Sequence, residues 1–143
     1  MAEDLVKYFT LEEANRTLPY VAPVVSDILR AYREWRDGVQ EYERLAAALP
    51  AGVDESDELE ALRDNVDLIA KEINEYLEEL VAVGCVFKGF EDGLVDFHSK
   101  LEGRDVFLCW KYGESEISHW HELDAGFAGR RELVTELLRG EAK

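Results

Sequence analysis

Two long stretches of the chain carry apolar residues at alternating intervals of three and four. The first covers residues 18–49 and the second covers residues 59–83. This spacing places the apolar side chains along one side of an α-helix and matches the heptad pattern of coiled coils. Pro50 and Gly52 lie in the short connection between the two stretches. The pattern therefore predicts a long antiparallel helical hairpin with a coiled-coil-like seam.

The N-terminal segment is predicted to form a separate short helix. Thr10 and Glu13 have the spacing of a capping box, in which each side chain bonds a free backbone N–H of the other residue. Pro19 disfavours helical backbone at the residue before it, so we expect a break at Leu18. The first long helix is then expected over residues 20–49.

The second long helix is predicted to begin at a capping box formed by Asp57 and Glu60 and to end before Gly84. Glycine suits the position just past a helix end, where the backbone turns left-handed. The N-terminal half of the first long helix is apolar on nearly all sides, which is more than one partner helix needs. The sheet, the short helix or a second subunit is therefore expected to cover it.

After Gly84 the apolar residues follow a period of two. Three alternating segments, at residues 94–99, 105–111 and 116–122, are separated by turn-forming sequences. They predict an antiparallel meander, and a fourth short strand is expected near Val86. The sheet is thus predicted to have three to four strands.

Together these elements predict one α+β domain over residues 1–143. Its helical part is expected at residues 10–84 and its antiparallel sheet at residues 85–122. Residues 123–143 are expected to form a Gly-rich turn and a short C-terminal helix that begins at about Arg130. The unbroken heptads also predict a homodimer.

The charge narrows the classes of partner. The chain has 32 acidic and 16 basic residues and a formal net charge of -16. This balance argues against nucleic acids and against anionic membrane surfaces, since both require a basic footprint. No apolar run is long enough to span a membrane, and the N-terminus does not have the pattern of a signal peptide. With only Cys85 and Cys109, we expect a cytoplasmic protein with free thiols.

Strand register follows from the apolar side of each strand. Val95, Phe97, Val106, Leu108, Trp110 and Trp120 are expected to share the face that packs on the helices. A two-residue turn at Glu102 and Gly103, and an odd-length turn after Lys111, then fix the opposite face. One cross-strand row there is predicted to hold Asp96, Cys109 and His119, and the next row His98, Phe107 and His121.

The most specific chemical hypothesis from the sequence concerns this opposite face. His119 and His121 flank one residue of a strand, so both imidazoles point the same way and suit a zinc-like divalent metal. His98 or Asp96 is a candidate third ligand. In the alternative without metal, Asp96 orients a histidine that acts as a general base. Lys111 on this face would oppose a cation. A polar face turned to solvent or to a partner, and a small-ligand pocket, remain open alternatives.

Four further residues are candidates for ligand or partner contacts. Cys109 is either a nucleophile activated by a histidine or a packed core residue. Arg130 and Arg131 either clamp an anion at a helix start or pair with the abundant carboxylates. Glu122 lies directly beside the histidine pair.

Four segments of the chain resemble a known family. They are FTLEEANRTLPYV near the start, GLVDF in the middle, and VFLCWKYGE followed by HWHELDAGFAGRR near the end. They resemble an uncharacterised bacterial and archaeal family, domain of unknown function 2203. The resemblance implies a small cytoplasmic helical-hairpin protein and supplies no activity, substrate or cofactor. The residue after GLVDF is often proline in this family and is His98 here. By resemblance, the C-terminal motif includes Trp110, Trp120, His121, Glu122, Gly126, Phe127, Gly129 and Arg130.

Two functions follow as hypotheses. The first is a small cytoplasmic, non-enzymatic module for self-association and for binding an unidentified protein partner. The second is a protein that binds a divalent metal or a small ligand through the histidine cluster, with a hydrolase as one form of this hypothesis. Metal content distinguishes the first hypothesis from the metal form of the second, because only that form requires an ion.

Overall fold

The computed structural model of the chain describes residues 6–53 and 55–133. The described residues form an α+β structure of two helices and a five-stranded antiparallel sheet. This confirms the predicted α+β class, but the sheet has five strands where three to four were expected. The helices are α1 (Leu11–Ala47) and α2 (Asp57–Val83). The strands are β1 (Val86–Gly89), β2 (Leu94–Leu101), β3 (Arg104–Lys111), β4 (His119–Glu122) and β5 (Arg131–Glu132), and a 3-10 turn lies at Phe127–Gly129.

Helix α1 is continuous, so the predicted short N-terminal helix and the break at Leu18 are wrong. The capping box at its start is present: the Glu13 N–H donates to Thr10 Oγ1 at 3.0 Å, and the Thr10 N–H donates to Glu13 Oε1 at 2.9 Å. Pro19 lies inside the helix on its exposed side. An internal proline costs about 3 kcal/mol. Burial of Leu18 and Val21, at about 1.5–3 kcal/mol each, offsets that cost.

The ends of α2 lie close to their predicted positions. Ser56, and not Asp57, is the residue that caps the helix, since its hydroxyl accepts a hydrogen bond from Leu59 N at 3.2 Å. Gly84 follows the last turn with a φ of 104°, the left-handed conformation expected of it. Tyr20 bonds Glu79 near one end of α1 and Tyr42 bonds Glu55 near the other, so the two helices run antiparallel.

The strands follow chain order across the sheet, from β1 to β5, and every neighbouring pair is antiparallel. Glu102 and Gly103 form a two-residue turn in which both φ angles are positive, at 53° and 81°. This is the turn that matches the twist of paired strands. The two cross-strand rows of the opposite face occur as predicted from the sequence.

The predicted C-terminal helix is wrong at its start. Arg131–Glu132 forms the short strand β5 on the edge of β4, and the Leu133 N–H donates to the Ser118 carbonyl at 2.9 Å. The edge of β4 offers unpaired backbone N–H and C=O groups. Pairing with these groups outweighs the local helical pattern at residues 131–132. The rest of that prediction, at residues 134–143, lies outside the described residues.

The sheet covers the apolar first half of α1. Val21, Val25 and Ile28 are fully buried and form one core with Phe97 and Trp110 on the near face of the sheet. This patch therefore does not require a second subunit. Among the described residues, no helix has the length and apolar character needed to cross a membrane.

Candidate metal site

The sheet face turned away from α1, here called the second face, is closed at its centre. It carries Asp96, His98, Phe107, Cys109, Lys111, His119 and His121. Asp96, Cys109 and His121 are only 3%, 1% and 2% exposed. Polar groups buried this deeply are stable only when each has a partner. The centre of this face is therefore a candidate for specific chemistry.

Asp96, Cys109 and His121 form one compact group. Each offers a ligand atom, and these atoms all lie within 4.8 Å of one another. The three residues come from β2, β3 and β4, so three neighbouring strands position them. Asp96 lies directly opposite Cys109, whereas His121 belongs to the next row and reaches diagonally.

The contacts of His121 show which of its ring nitrogens donates a hydrogen bond to the backbone. Nδ1 lies 2.8 Å from the carbonyl oxygen of Glu122. A carbonyl only accepts, so Nδ1 carries the hydrogen and donates it. Nε2 lies 3.1 Å from both carboxylate oxygens of Asp96. A lone pair facing a carboxylate is repulsive, and so a positive species, either a proton or a metal ion, belongs between Nε2 and Asp96.

The surroundings of the Cys109 thiol work against its activation as a nucleophile. Burial raises its pKa to about 12, and the nearby Asp96 carboxylate acts in the same direction. The Arg130 guanidinium opposes this shift without reversing it. A thiol with so high a pKa stays protonated at neutral pH and reacts slowly. A metal ion, by contrast, displaces the proton and binds the thiolate.

Arg130 and Glu114 form an ion pair beside the group. Arg130 Nη2 lies 2.9 Å from both Glu114 carboxylate oxygens and donates to the Cys109 carbonyl at 3.3 Å. Burial acts to raise the pKa of Glu114, but the hydrogen bonds from Arg130 and from the Lys111 N–H hold it below its usual value. Glu114 thus balances the charge of Arg130 close to the candidate site.

The other two histidines lie outside the group. His119 is half-buried, and its Nδ1 lies 3.0 Å from the hydroxyl of Ser118. His98 lies against the rings of Phe107 and Tyr8, with centroid distances of 4.5 and 6.1 Å. Burial lowers the pKa of His98. In this structure the group therefore contains one histidine, one acid and one thiol, and His119 is not among its members.

The remaining candidates have ordinary contacts. The Arg131 guanidinium lies 5.3 Å from the centre of the Trp120 ring, at strand β5 and not at a helix start. The carboxylate of Glu122 pairs with Arg104 at 2.9 Å, and its backbone carbonyl accepts a hydrogen bond from His121 Nδ1.

Sequence reasoning missed Glu114 as a site residue. Glu114 lies in the turn after β3, and its partner Arg130 is 16 residues away, so no short-range pattern links them. The only available signal was its place in the segment VFLCWKYGE. That segment supplies Cys109, GLVDF supplies Asp96, and HWHELDAGFAGRR supplies His121. The structure therefore brings three of the four motif segments to one point.

Comparison with known proteins gives one match. A family model described as "Uncharacterized conserved protein (DUF2203)" matches residues 7–133. The match includes the three residues of the group and the Glu114–Arg130 pair. Searches of curated proteins and of solved structures found no match.

Proposed function

The chain belongs to the uncharacterised DUF2203 family, and we propose that it is a metal-binding protein that holds a divalent transition-metal ion between Asp96, Cys109 and His121. The observation that carries the proposal is the set of bonds made by His121. Its Nδ1–H donates to a backbone carbonyl, which leaves Nε2 directed at the carboxylate and the thiol. Histidines that bind metals through one nitrogen almost always donate the other N–H in this way.

The donor atoms indicate the class of ion. Thiolate sulfur, imidazole nitrogen and a single carboxylate favour zinc and its chemical relatives. Calcium and magnesium prefer shells made almost entirely of oxygen, which this group does not supply. The electrostatic balance also suits a divalent cation: one carboxylate and one thiolate carry two negative charges, and Glu114 neutralises the neighbouring Arg130.

The burial of the group favours binding over catalysis. All three residues are at most 3% exposed, so a substrate does not reach them from solution unless the residues that cover this face of the sheet move. Catalytic zinc sites keep an accessible coordination position, whereas structural sites are closed. The proposal is therefore of a non-enzymatic metal protein.

Metal content and stability test the proposal together. Tag-free protein expressed with supplementary zinc is expected to hold about one ion per chain. Zinc at 100 times its dissociation constant should add about 2.7 kcal/mol to the free energy of unfolding of metal-free protein. A chain that retains no metal and shows no thermal shift with zinc, cobalt, nickel or manganese would overturn the proposal.

The two cysteines provide a matched pair of variants. Cys109→Ala removes the proposed sulfur ligand, whereas Cys85→Ala removes a buried thiol whose hydrogen bond is to the Leu80 carbonyl. Only Cys109→Ala should lose the ion. Equal loss of metal in both variants would show that the binding is not at this group.

Self-association is a second candidate function, and a different observation favours it. Between residues 32 and 72, the part of the hairpin here called the distal arm, Leu59 is the only buried residue among those the structure describes. The heptad residues Tyr32, Trp35, Val39, Tyr42, Ala46, Leu62, Val66 and Ile69 are only half-buried there. A second hairpin packed in antiparallel fashion would cover them.

Sedimentation of two variants tests this second candidate. Val39→Glu places a charge on the half-buried seam and should convert a dimer to a monomer. Gln40→Glu adds the same charge at the neighbouring exposed position and should leave the dimer intact. A wild-type chain that sediments as a monomer at all concentrations would exclude the self-association.

A further inference from the structure

The group on the second face supplies three ligand atoms, whereas zinc-like ions in closed sites take four. We propose that His119 supplies the fourth ligand and completes a closed Asp–Cys–His–His centre. This inference rests on the proposed metal binding. It specifies how the coordination shell of this closed site is completed.

Strand pairing places His119 at the edge of the group. His119 and Cys109 are direct cross-strand partners in β3 and β4. The Cβ atoms of such partners lie about 4.5–5.5 Å apart, and both side chains leave the same face of the sheet. His119 also lies two residues before His121 on one strand, so the two imidazoles emerge on the same side.

The present contacts of His119 leave it free to turn. Among the described residues, its hydrogen bond is to the hydroxyl of Ser118, its neighbour in sequence. Its ring is half-buried, whereas His121 is 2% exposed. A rotation about its side-chain bonds would therefore exchange one local hydrogen bond for a metal bond.

His98 is the competing fourth ligand, and the structure disfavours it. It shares a row with Phe107 and His121, and the Phe107 ring lies between the other two rings, 4.5 Å from His98 and 5.4 Å from His121. His98 therefore reaches the group only if Phe107 moves. His98 is on the same face and is a histidine, which makes it the matched control.

Cobalt(II) is the probe for the coordination number. Added to metal-free wild-type protein, it should give the intense visible bands of a tetrahedral centre and a near-ultraviolet sulfur-to-cobalt band. His119→Gly should keep the sulfur band, lose visible intensity as water enters, and bind cobalt at least about tenfold more weakly. Added imidazole should restore the visible bands of His119→Gly. His98→Gly should match the wild type.

The outcomes separate this inference from the proposal it rests on. If the wild type binds no cobalt and shows no sulfur band, the metal proposal itself fails. If the wild type binds cobalt and His119→Gly gives the same spectrum and affinity, only the role of His119 fails. Loss of the tetrahedral bands in His98→Gly would assign the fourth position to His98 and overturn the inference.

Discussion

The two faces of the sheet are both buried, but for opposite reasons. On the first face Val95, Phe97 and Trp110 pack against α1, so burial itself is favourable. On the second face Asp96, Cys109 and His121 are equally inaccessible although two of them are polar. Burial there is unfavourable unless each polar atom has a partner. The first face therefore stabilises the fold by burial alone, whereas the second face is stable only if a proton or a metal ion lies between its buried polar groups.

The largest effect is expected on the first face. Phe97→Ala should lower the free energy of unfolding by about 3–5 kcal/mol, because it removes a fully buried ring and leaves a cavity. Urea unfolding of metal-free and zinc-loaded protein should give the same loss. A loss that differs greatly between the two forms would mean that the faces are not independent.

A smaller effect, with a different signature, is expected on the second face. Asp96→Ala should cost about 3 kcal/mol in metal-free protein, since it leaves the buried His121 without its partner. The double variant Asp96→Ala, His121→Ala should cost less than the sum of the two single variants, by about 0.5–3 kcal/mol. Additive losses in this double-mutant cycle would contradict the pairing of Asp96 with His121.

Alkaline pH should weaken the first-face core through Cys85. Burial raises the pKa of this thiol from 9.0 to about 11, so the folded chain retains a proton that the unfolded chain loses. Its contribution to stability is complete below about pH 9 and declines as pH rises towards 11. At most about 2–3 kcal/mol is lost in this window. Cys85→Ala should therefore show a shallower alkaline decline than the wild type, measured by urea unfolding between pH 8 and 11.

The smallest effect is expected at the exposed rim of the sheet. Arg104 pairs with Glu122 at 2.9 Å, but Arg104 is largely exposed and water screens the pair. Arg104→Ala should leave the urea midpoint unchanged within error and should leave metal content unchanged. A clear loss of metal would show that the backbone carbonyl of Glu122 depends on this ion pair to hold His121.

Much of the fold was accessible from the sequence because it follows from local periodicity. The heptads predict the two helices, and Gly84 marks the end of the second. Alternation and the turn at Gly103 predict the strand register, because a slip of one residue would reverse every side chain. Both cross-strand rows of the second face follow from that argument.

The remaining features depend on contacts between distant residues. Helix α1 continues through Pro19 because packing on the sheet outweighs a local preference. Strand β5 replaces the start of the predicted C-terminal helix because the edge of β4 offers unpaired backbone groups. Register placed Asp96 and His121 in neighbouring rows, but the diagonal contact and the burial of the group depend on side-chain positions that periodicity does not encode.

X-ray absorption at the zinc edge of zinc-loaded protein identifies the atoms that bind the ion. A metal centre at Asp96, Cys109 and His121 should give one sulfur at about 2.3 Å and nitrogen or oxygen neighbours at about 2.0–2.2 Å, with four ligands in total. The sulfur should be absent in Cys109→Ala and present in Cys85→Ala. A wild-type spectrum without sulfur, or with a shell of six oxygens, would contradict a metal centre at Asp96, Cys109 and His121.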